Sequence, residues 1–378
     1  MEQNNSRIGI ALSGGGIRAA IFHLGVLKYM SQVGLFDRIA NISSVSGASL
    51  CVGTIFAANG NIWPNGRTFL KTVLPEVCSR ILGNDIQKSA LLRLPVSPRY
   101  WHNKVGLIAK MLEKKWGITG TLQDISPFPY WEINCTAFET GKNFRFRRDF
   151  MGGYNLGYVQ KPQLPISHMI AASAGFPVLI GPYILKTKGL RWTSDKWGKG
   201  KEIQADGKYT LWDGGVYDNL GLEALYKIGK GLDSEIDCLM VSNASASIAH
   251  KKHKSGMSVG NMLRLLDISS SQVVALRTRE INAAVISKGN GMYLKIGNSA
   301  DEIARRLGIP PEKSEYLVKT CISKEQAANV RDYATTLFTP SPKNFELILR
   351  HGYENAKCVH LLGKDSKKTA MAGQQLMC

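Results

Sequence analysis

Ile8-Gly9-Ile10-Ala11-Leu12-Ser13-Gly14-Gly15-Gly16-Ile17-Arg18, near the start of the 378-residue chain, decides the reading of the fold. Its first five residues are a short apolar run that ends at glycines. That pattern reads as a buried parallel strand. Beyond the glycines, Ala20, Leu24, Val26 and Leu27 against Lys28 give helical spacing from Ala19 to Met30. A second strand follows at Ile39-Ala40-Asn41-Ile42-Ser43-Ser44-Val45, and a second helix starts at Ala48. Strand, helix, strand, helix predicts a mostly parallel central sheet with crossover helices, a three-layer α/β/α fold.

Gly14, Gly15, Gly16 and Arg18 lie where strand turns into helix, so several backbone N–H groups converge on one point. Such a turn binds anions. Three uses stand open on these residues alone. Gly14-x-Gly16-x-x-Ala19 meets the loose dinucleotide pattern G-x-G-x-x-G/A. The glycines also suit tight packing, or an oxyanion hole for acyl transfer. A dinucleotide site wants an acidic residue at the end of the second strand. Asp37 comes before that strand, and Ser46 ends it. Ser46 has Gly47 and Ala48 beside it, and a nucleophile elbow needs small neighbours because its turn is strained. Taken alone, Ser46 reads equally well as the N-cap of the next helix.

Further on, Tyr209-Thr210-Leu211-Trp212 reads as a strand, with Asp213-Gly214-Gly215 at its C-terminal end. Ligand sites of parallel sheets lie at that end. The bland reading is an Asp-Gly turn. Between these segments, 131–138 and 142–148 read as paired strands, 63–121 as mostly helical and basic, and Ile166–Ala174 as a small-residue helix. Val178–Leu185 reads as extended and Thr193–Tyr209 as an exposed loop. Cys238–Asn243 is a core strand, 256–285 is helical, and Ala327–Leu337 and Pro342–Ala356 are the last helices.

These motifs together resemble the patatin-like phospholipase family, in a bacterial-type member. That family carries a G-G-G-x-R/K loop, a G-x-S-x-G elbow and D-G-G/A. The Ala172-Ser173-Ala174-Gly175-Phe176-Pro177 stretch is similar to its A-S-x-x-F-P segment, and 345–356 resembles its C-terminal helix. The resemblance spans roughly 7–245. It implies that Ser46 is a nucleophile and Asp213 its base. It implies an oxyanion loop of Gly14, Gly15, Gly16 and Arg18, with the N–H groups of Gly15 and Gly16 holding the oxyanion and Arg18 adding charge and fixing the loop. Gly47, Gly214 and Gly215 support the elbow and the D-G-G turn. The departures are Ser44 and Ala48, which stand where the elbow pattern has glycine. The implied activity is lipid acyl hydrolysis of phospholipase A type, with no cofactor and no metal. A weakly catalytic lipid-binding protein and a lipid acyltransferase are the other readings of the same residues.

A Ser-His-Asp triad would need a histidine in place. His23, on the first helix, faces either the sheet or solvent, and His168, His250, His253, His351 and His360 read as surface residues. Seven scattered cysteines, with no C-x-x-C pair, read as reduced thiols. The formal charge of +19 points to an anionic partner surface. A peripheral contact with an anionic membrane fits, centred on Lys196, Lys199 and Lys201 with Trp192 and Trp197 interleaved. No nucleic-acid motif accompanies the charge. The N-terminus lacks the layout of a signal peptide. The uncharged stretches Ile39–Trp63 and Leu164–Leu185 are broken by polar residues, glycines and prolines, which disfavours membrane spans. A cytoplasmic protein is the expectation. Residues 1–362 are expected to form a single domain, with a catalytic core over 7–245, a mostly helical part over 246–362, and a flexible polar tail at 363–378.

Overall fold

The computed structural model describes residues 6–177, 180–246, 248 and 258–375. The chain opens with β1 (Ile8–Leu12), α1 (Gly16–Gln32), β2 (Ile39–Val45) and α2 (Gly47–Ala58), the alternation the apolar pattern predicts. A helical stretch follows: α3 (Gly66–Thr68), α4 (Leu74–Gly83), α5 (Ile86–Arg93) and α6 (Lys104–Trp116). Next come β3 (Tyr130–Ala137), β4 (Asn143–Phe146), β5 (Phe150–Gly153), β6 (Gly157–Gln160), α7 (Ile166–Ser173) and β7 (Tyr183–Lys186). The two-residue strands β8 (Trp192–Thr193) and β9 (Glu202–Ile203) precede β10 (Lys208–Asp213) and the short α8 (Gly215–Asp218). A small hairpin, β11 (Tyr226–Lys227) and β12 (Gly231–Leu232), leads to β13 (Cys238–Asn243), α9 (Val259–Ile281) and β14 (Gly291–Lys295). The chain closes with α10 (Ala300–Arg306), α11 (Pro311–Thr320), α12 (Lys324–Asp332) and α13 (Pro342–Gln375).

The main sheet runs β14-β13-β1-β2-β3-β4-β5-β6-β8-β9. Pairings from β14 to β3 are parallel, and those from β3 outward are antiparallel. Strand side chains alternate between faces, and β1 shows it. Ile8, Ile10 and Leu12 join the core formed with α1 and α2, while Ala11 joins a second core with Leu220, Leu225, Leu239 and Ile281. Helices therefore cover both faces of the parallel half, as the sequence predicts. Helices α1 and α13 cross at reciprocal glycines. A Cβ on Gly25 would lie 2.0 Å from the Leu349 carbonyl oxygen, and one on Gly352 would lie 2.0 Å from that of Phe22. Among the described residues no helix is long and apolar enough to cross a membrane.

Several expectations need correction. Strand β10 is antiparallel to both β3 and β7, so Asp213 does not sit on a parallel strand. The helix expected over 327–337 is α12, which starts earlier at a Ser323/Gln326 capping box and stops at Asp332. Residues 333–337 leave the helix because their backbone holds the glycine loop. The last helix passes residue 356 and continues to Gln375, so 363–375 is helical. Its Lys, Ala, Met and Gln residues are good helix formers and no proline interrupts them. Trp192 is buried, edge-on to Tyr209, and cannot dock a membrane. Val178, at the start of an expected extended segment, falls outside the described residues.

Candidate active site

The sheet register brings Ser46 and Asp213 together. Strand β2 climbs one edge of β3 as far as Asn134, where it pairs through Val45. Strand β10 descends the same edge from Ala137 to Cys135, where it pairs through Asp213. Strand β4 occupies the opposite edge, pairing with Ile133 through Thr136. The C-terminal ends of β2 and β10 thus meet head-on, with Ser46 and Asp213 at the junction.

Ser46 has φ 53° and ψ −117°, in the left-handed half of the backbone map. A non-glycine residue there carries strain of about 1–3 kcal/mol. Its side chain makes no capping bond to α2, which removes the N-cap reading. The turn is held from below by a chain of hydroxyls. The Trp131 indole N–H donates to Ser44 Oγ (2.8 Å), Ser44 Oγ meets Ser49 Oγ (2.9 Å), and Ser49 Oγ meets Ser173 Oγ (3.0 Å). Ser173 donates to the Asn134 carbonyl (2.7 Å) and accepts the Ser46 N–H (3.0 Å). An indole only donates and a carbonyl only accepts, so the direction of this chain is fixed. Ser44, which replaces an elbow glycine, is a working member of it. Ala48 is fully buried.

Gly47 allows the elbow to touch the glycine loop. A Cβ there would lie 1.9 Å from the Gly16 carbonyl oxygen. In the loop, Gly14 donates its N–H to the Asn219 carbonyl (3.1 Å), so it is not a free donor. Ile17 donates to the Thr336 carbonyl (2.8 Å). Among the described residues the N–H groups of Gly15 and Gly16 have no protein acceptor. Arg18 is fully buried and binds backbone: Nη1 donates to the carbonyls of Arg331 (3.1 Å) and Tyr333, and Nη2 to that of Ala244 (3.1 Å). Burial lowers its pKa to about 10, which leaves it charged at neutral pH. Arg18 is a clamp on the loop.

Asp213 is buried, and desolvation raises its pKa from 3.8 to about 6. The Gly215 N–H, 2.7 Å from Oδ1, and the neighbouring Ser46 side chain act in the opposite direction. Gly214 is required by space, since its Cβ would lie 2.4 Å from the Asn134 carbonyl oxygen. Its N–H donates to the Ser173 carbonyl (3.4 Å), and that of Asp213 to the Gly175 carbonyl (3.2 Å). The Ala172–Phe176 turn thus anchors both halves of the pair.

Two of the histidines, His23 and His351, are core residues. His23 is fully buried: Nε2 lies 2.9 Å from the Ser13 carbonyl and Nδ1 2.9 Å from Ser242 Oγ. Burial lowers its pKa to about 4, so it is a neutral brace beneath the loop. Nε2 must donate, because a carbonyl only accepts. His351 is also buried and accepts the Gly297 N–H (2.8 Å). His250 and His253 lie outside the described residues.

A cavity of about 1810 Å³ opens over the pair, lined by Gly15, Ser46, Phe176, Pro177, Asp213 and Val216. One wall is α9, which contributes Leu266, Val274 and Thr278. Sequence reasoning missed this wall, the Ser173 link and the 331–336 strap. Each depends on contacts between residues far apart in the chain.

Cytosolic phospholipase A2 gamma of Mus musculus is 38% identical over 55 residues, covering 15% of this chain and 9% of the mouse protein. The structure of human GIVD cytosolic phospholipase A2 superposes with a TM-score of 0.50 at 12% identity, over 96% of this chain and 64% of the human one. Its complex with methyl gamma-linolenyl fluorophosphonate superposes with a TM-score of 0.50 at 12% identity, over 97% and 60%. At that identity the likeness is one of fold, and this chain spans less than two thirds of either relative. The model of the patatin-like phospholipase family matches residues 10–226, more than half of the chain. The chain belongs to the patatin-like phospholipase family.

Proposed function

We propose that the protein is a lipid acyl hydrolase of phospholipase A type working through Ser46 and Asp213. The observation that carries this reading is the strained Ser46 turn, which meets a buried Asp213 with a raised pKa beside the Gly15 and Gly16 N–H groups, which have no protein acceptor among the described residues. Ser46 Oγ attacks the ester carbonyl carbon and passes its proton to the Asp213 carboxylate. A pKa raised toward 6 makes that carboxylate a better base while leaving it ionised at neutral pH. The N–H groups of Gly15 and Gly16 hold the oxyanion, and donors of this kind contribute about 2.7–4 kcal/mol each. Collapse expels the alcohol oxygen, which takes the proton from Asp213. Water then gives a proton to Asp213 and attacks the acyl-serine carbonyl carbon; the bond to Ser46 Oγ breaks, Oγ takes that proton back from Asp213, and the fatty acid is released.

The cavity supports a lipid substrate. Its volume of about 1810 Å³ exceeds the roughly 300–1,000 Å³ of ordinary small-molecule pockets. Phe176, Pro177, Val216 and Leu266 give it apolar walls for an acyl chain. The human relative crystallised with a lipid fluorophosphonate supports the choice of probe. The test is fatty-acid release from phosphatidylcholine vesicles, with fluorophosphonate labelling, by wild type, Ser46→Ala and Asp213→Asn. Release and labelling should be lost in the Ser46→Ala protein, and release in the Asp213→Asn protein. Equal release by all three would end the reading.

A further inference from the structure

We infer that the projection formed by residues 91–104 is a docking surface for an anionic lipid bilayer. The inference rests on the lipid-hydrolase reading above for its purpose, and on separate observations for its place. Helix α5 ends at Arg93, and the chain runs through Leu94, Pro95 and Val96 before α6 starts at Lys104. Over this turn large apolar groups face outward. Leu91 is 53% exposed, Leu92 70%, Val96 78% and Trp101 54%. Isolated exposed apolar residues need no explanation, but four within eleven residues form a patch.

The patch has a built base. Ile86 and Ala90 bury the inner side of α5, and Asp85 caps the helix by accepting the Lys88 N–H (2.7 Å). The Trp101 indole N–H donates to the Leu94 carbonyl (3.0 Å), which closes the turn and presents the ring outward. An indole with its polar edge satisfied and its ring exposed suits the depth of lipid headgroups.

The charge around the patch selects the partner. From residue 86 to 112 there is no Asp or Glu, while Lys88, Arg93, Arg99, Lys104 and Lys110 are all cationic. None of them has a carboxylate within salt-bridge distance among the described residues. Exposed apolar tips ringed by unneutralised cations match an anionic lipid surface, where each cation adds attraction and the tips enter the interface. The loop with Lys196 and Trp197 is a weaker candidate, because Trp192 is buried and Asp195 and Glu202 lie within it.

The projection is also joined to the catalytic loop. Gln87 Oε1 accepts the Leu337 N–H (2.7 Å), and Asp85 Oδ2 accepts that of Thr339 (3.1 Å). The neighbouring Thr336 carbonyl holds Ile17.

The test is co-sedimentation of the full chain with vesicles of phosphatidylcholine alone or with phosphatidylserine added. Wild type is compared with Leu92→Glu/Val96→Glu and with Lys196→Glu/Trp197→Ser. A soluble short-chain ester assay and sedimentation velocity accompany it. Wild type should prefer the anionic vesicles, and added salt should weaken binding. The Leu92→Glu/Val96→Glu protein should bind them at least about tenfold more weakly. It should keep soluble ester hydrolysis, which shows that it folds. The Lys196→Glu/Trp197→Ser protein should bind like wild type. Unchanged binding by Leu92→Glu/Val96→Glu would overturn the inference. So would a dimer of wild type that this variant dissolves without a change in vesicle binding, since the patch would then join two copies. If wild type binds vesicles through the patch but hydrolyses neither ester nor lipid, the proposed function fails and the docking surface stands.

Discussion

Replacing Asp213 by asparagine should make the protein more stable at alkaline pH while removing its activity. The carboxyl is buried, and its pKa is raised from 3.8 to about 6. A raised acid is disfavoured as the anion in the folded state. The folded protein therefore loses stability as pH rises from about 4 through 6, because the unfolded chain gives up that proton first. A rise from 3.8 to about 6 corresponds to about 3 kcal/mol at pH 8. Asparagine has nearly the same shape, keeps an oxygen for the Gly215 N–H and carries no charge. Urea unfolding of both proteins at pH 8 and pH 4 tests this. The mutant should exceed wild type by up to about 3 kcal/mol at pH 8, and by less than about 1 kcal/mol at pH 4. Its fatty-acid release should be absent at both. A mutant no more stable than wild type at pH 8, or a margin equal at the two pH values, would refute the reasoning, because burial would then not be what sets this carboxyl.

Ser173→Ala removes the acceptor for the Ser46 N–H and the donor to the Asn134 carbonyl; unfolding should show a loss of about 1–3 kcal/mol, and fluorophosphonate labelling of Ser46 should slow. Gly47→Ala places a Cβ 1.9 Å from the Gly16 carbonyl oxygen, so kcat should fall by about 10²-fold or more as the loop is displaced, measured on a soluble ester. His23 is neutral in the fold with a pKa near 4, against 6.5 when unfolded. Its share of stability is therefore present above 6.5 and lost as pH falls toward 4, amounting to about 2 kcal/mol between pH 7 and 5. Urea midpoints at those two pH values should move less for His23→Gln than for wild type.

Local pattern carried much of this in the sequence. The apolar run Ile8–Leu12, the glycines, and the strand ending at Ser46 are short-range features, and they located the loop and the elbow. The Asp213-Gly214-Gly215 turn at a strand end was legible from three consecutive residues. What local pattern could not carry is how distant segments meet. Arg18 is 313 residues from Arg331, whose carbonyl it binds, and Ser46 is 127 from Ser173. No periodicity encodes such pairings. The place of His23 in the core was not legible for a related reason: a polar residue on an apolar helix gives no sign that a carbonyl and a hydroxyl await it there. Ser44 looked like a defect in the elbow because a pattern records which residue is absent, and not what the new hydroxyl bonds.

The head-on meeting of β2 and β10 on one edge of β3 has a consequence for how this chemistry is tuned. Ser46 and Asp213 share a single ruler, the hydrogen-bond ladder of β3, whose graduations are about 3.3 Å per residue. Their spacing can change only in whole steps of that ruler unless the ladder breaks. A step is larger than a hydrogen bond can stretch. The pair is therefore either in register or apart, and fine adjustment falls to the glycine loop, which rests on a strap from the other end of the chain.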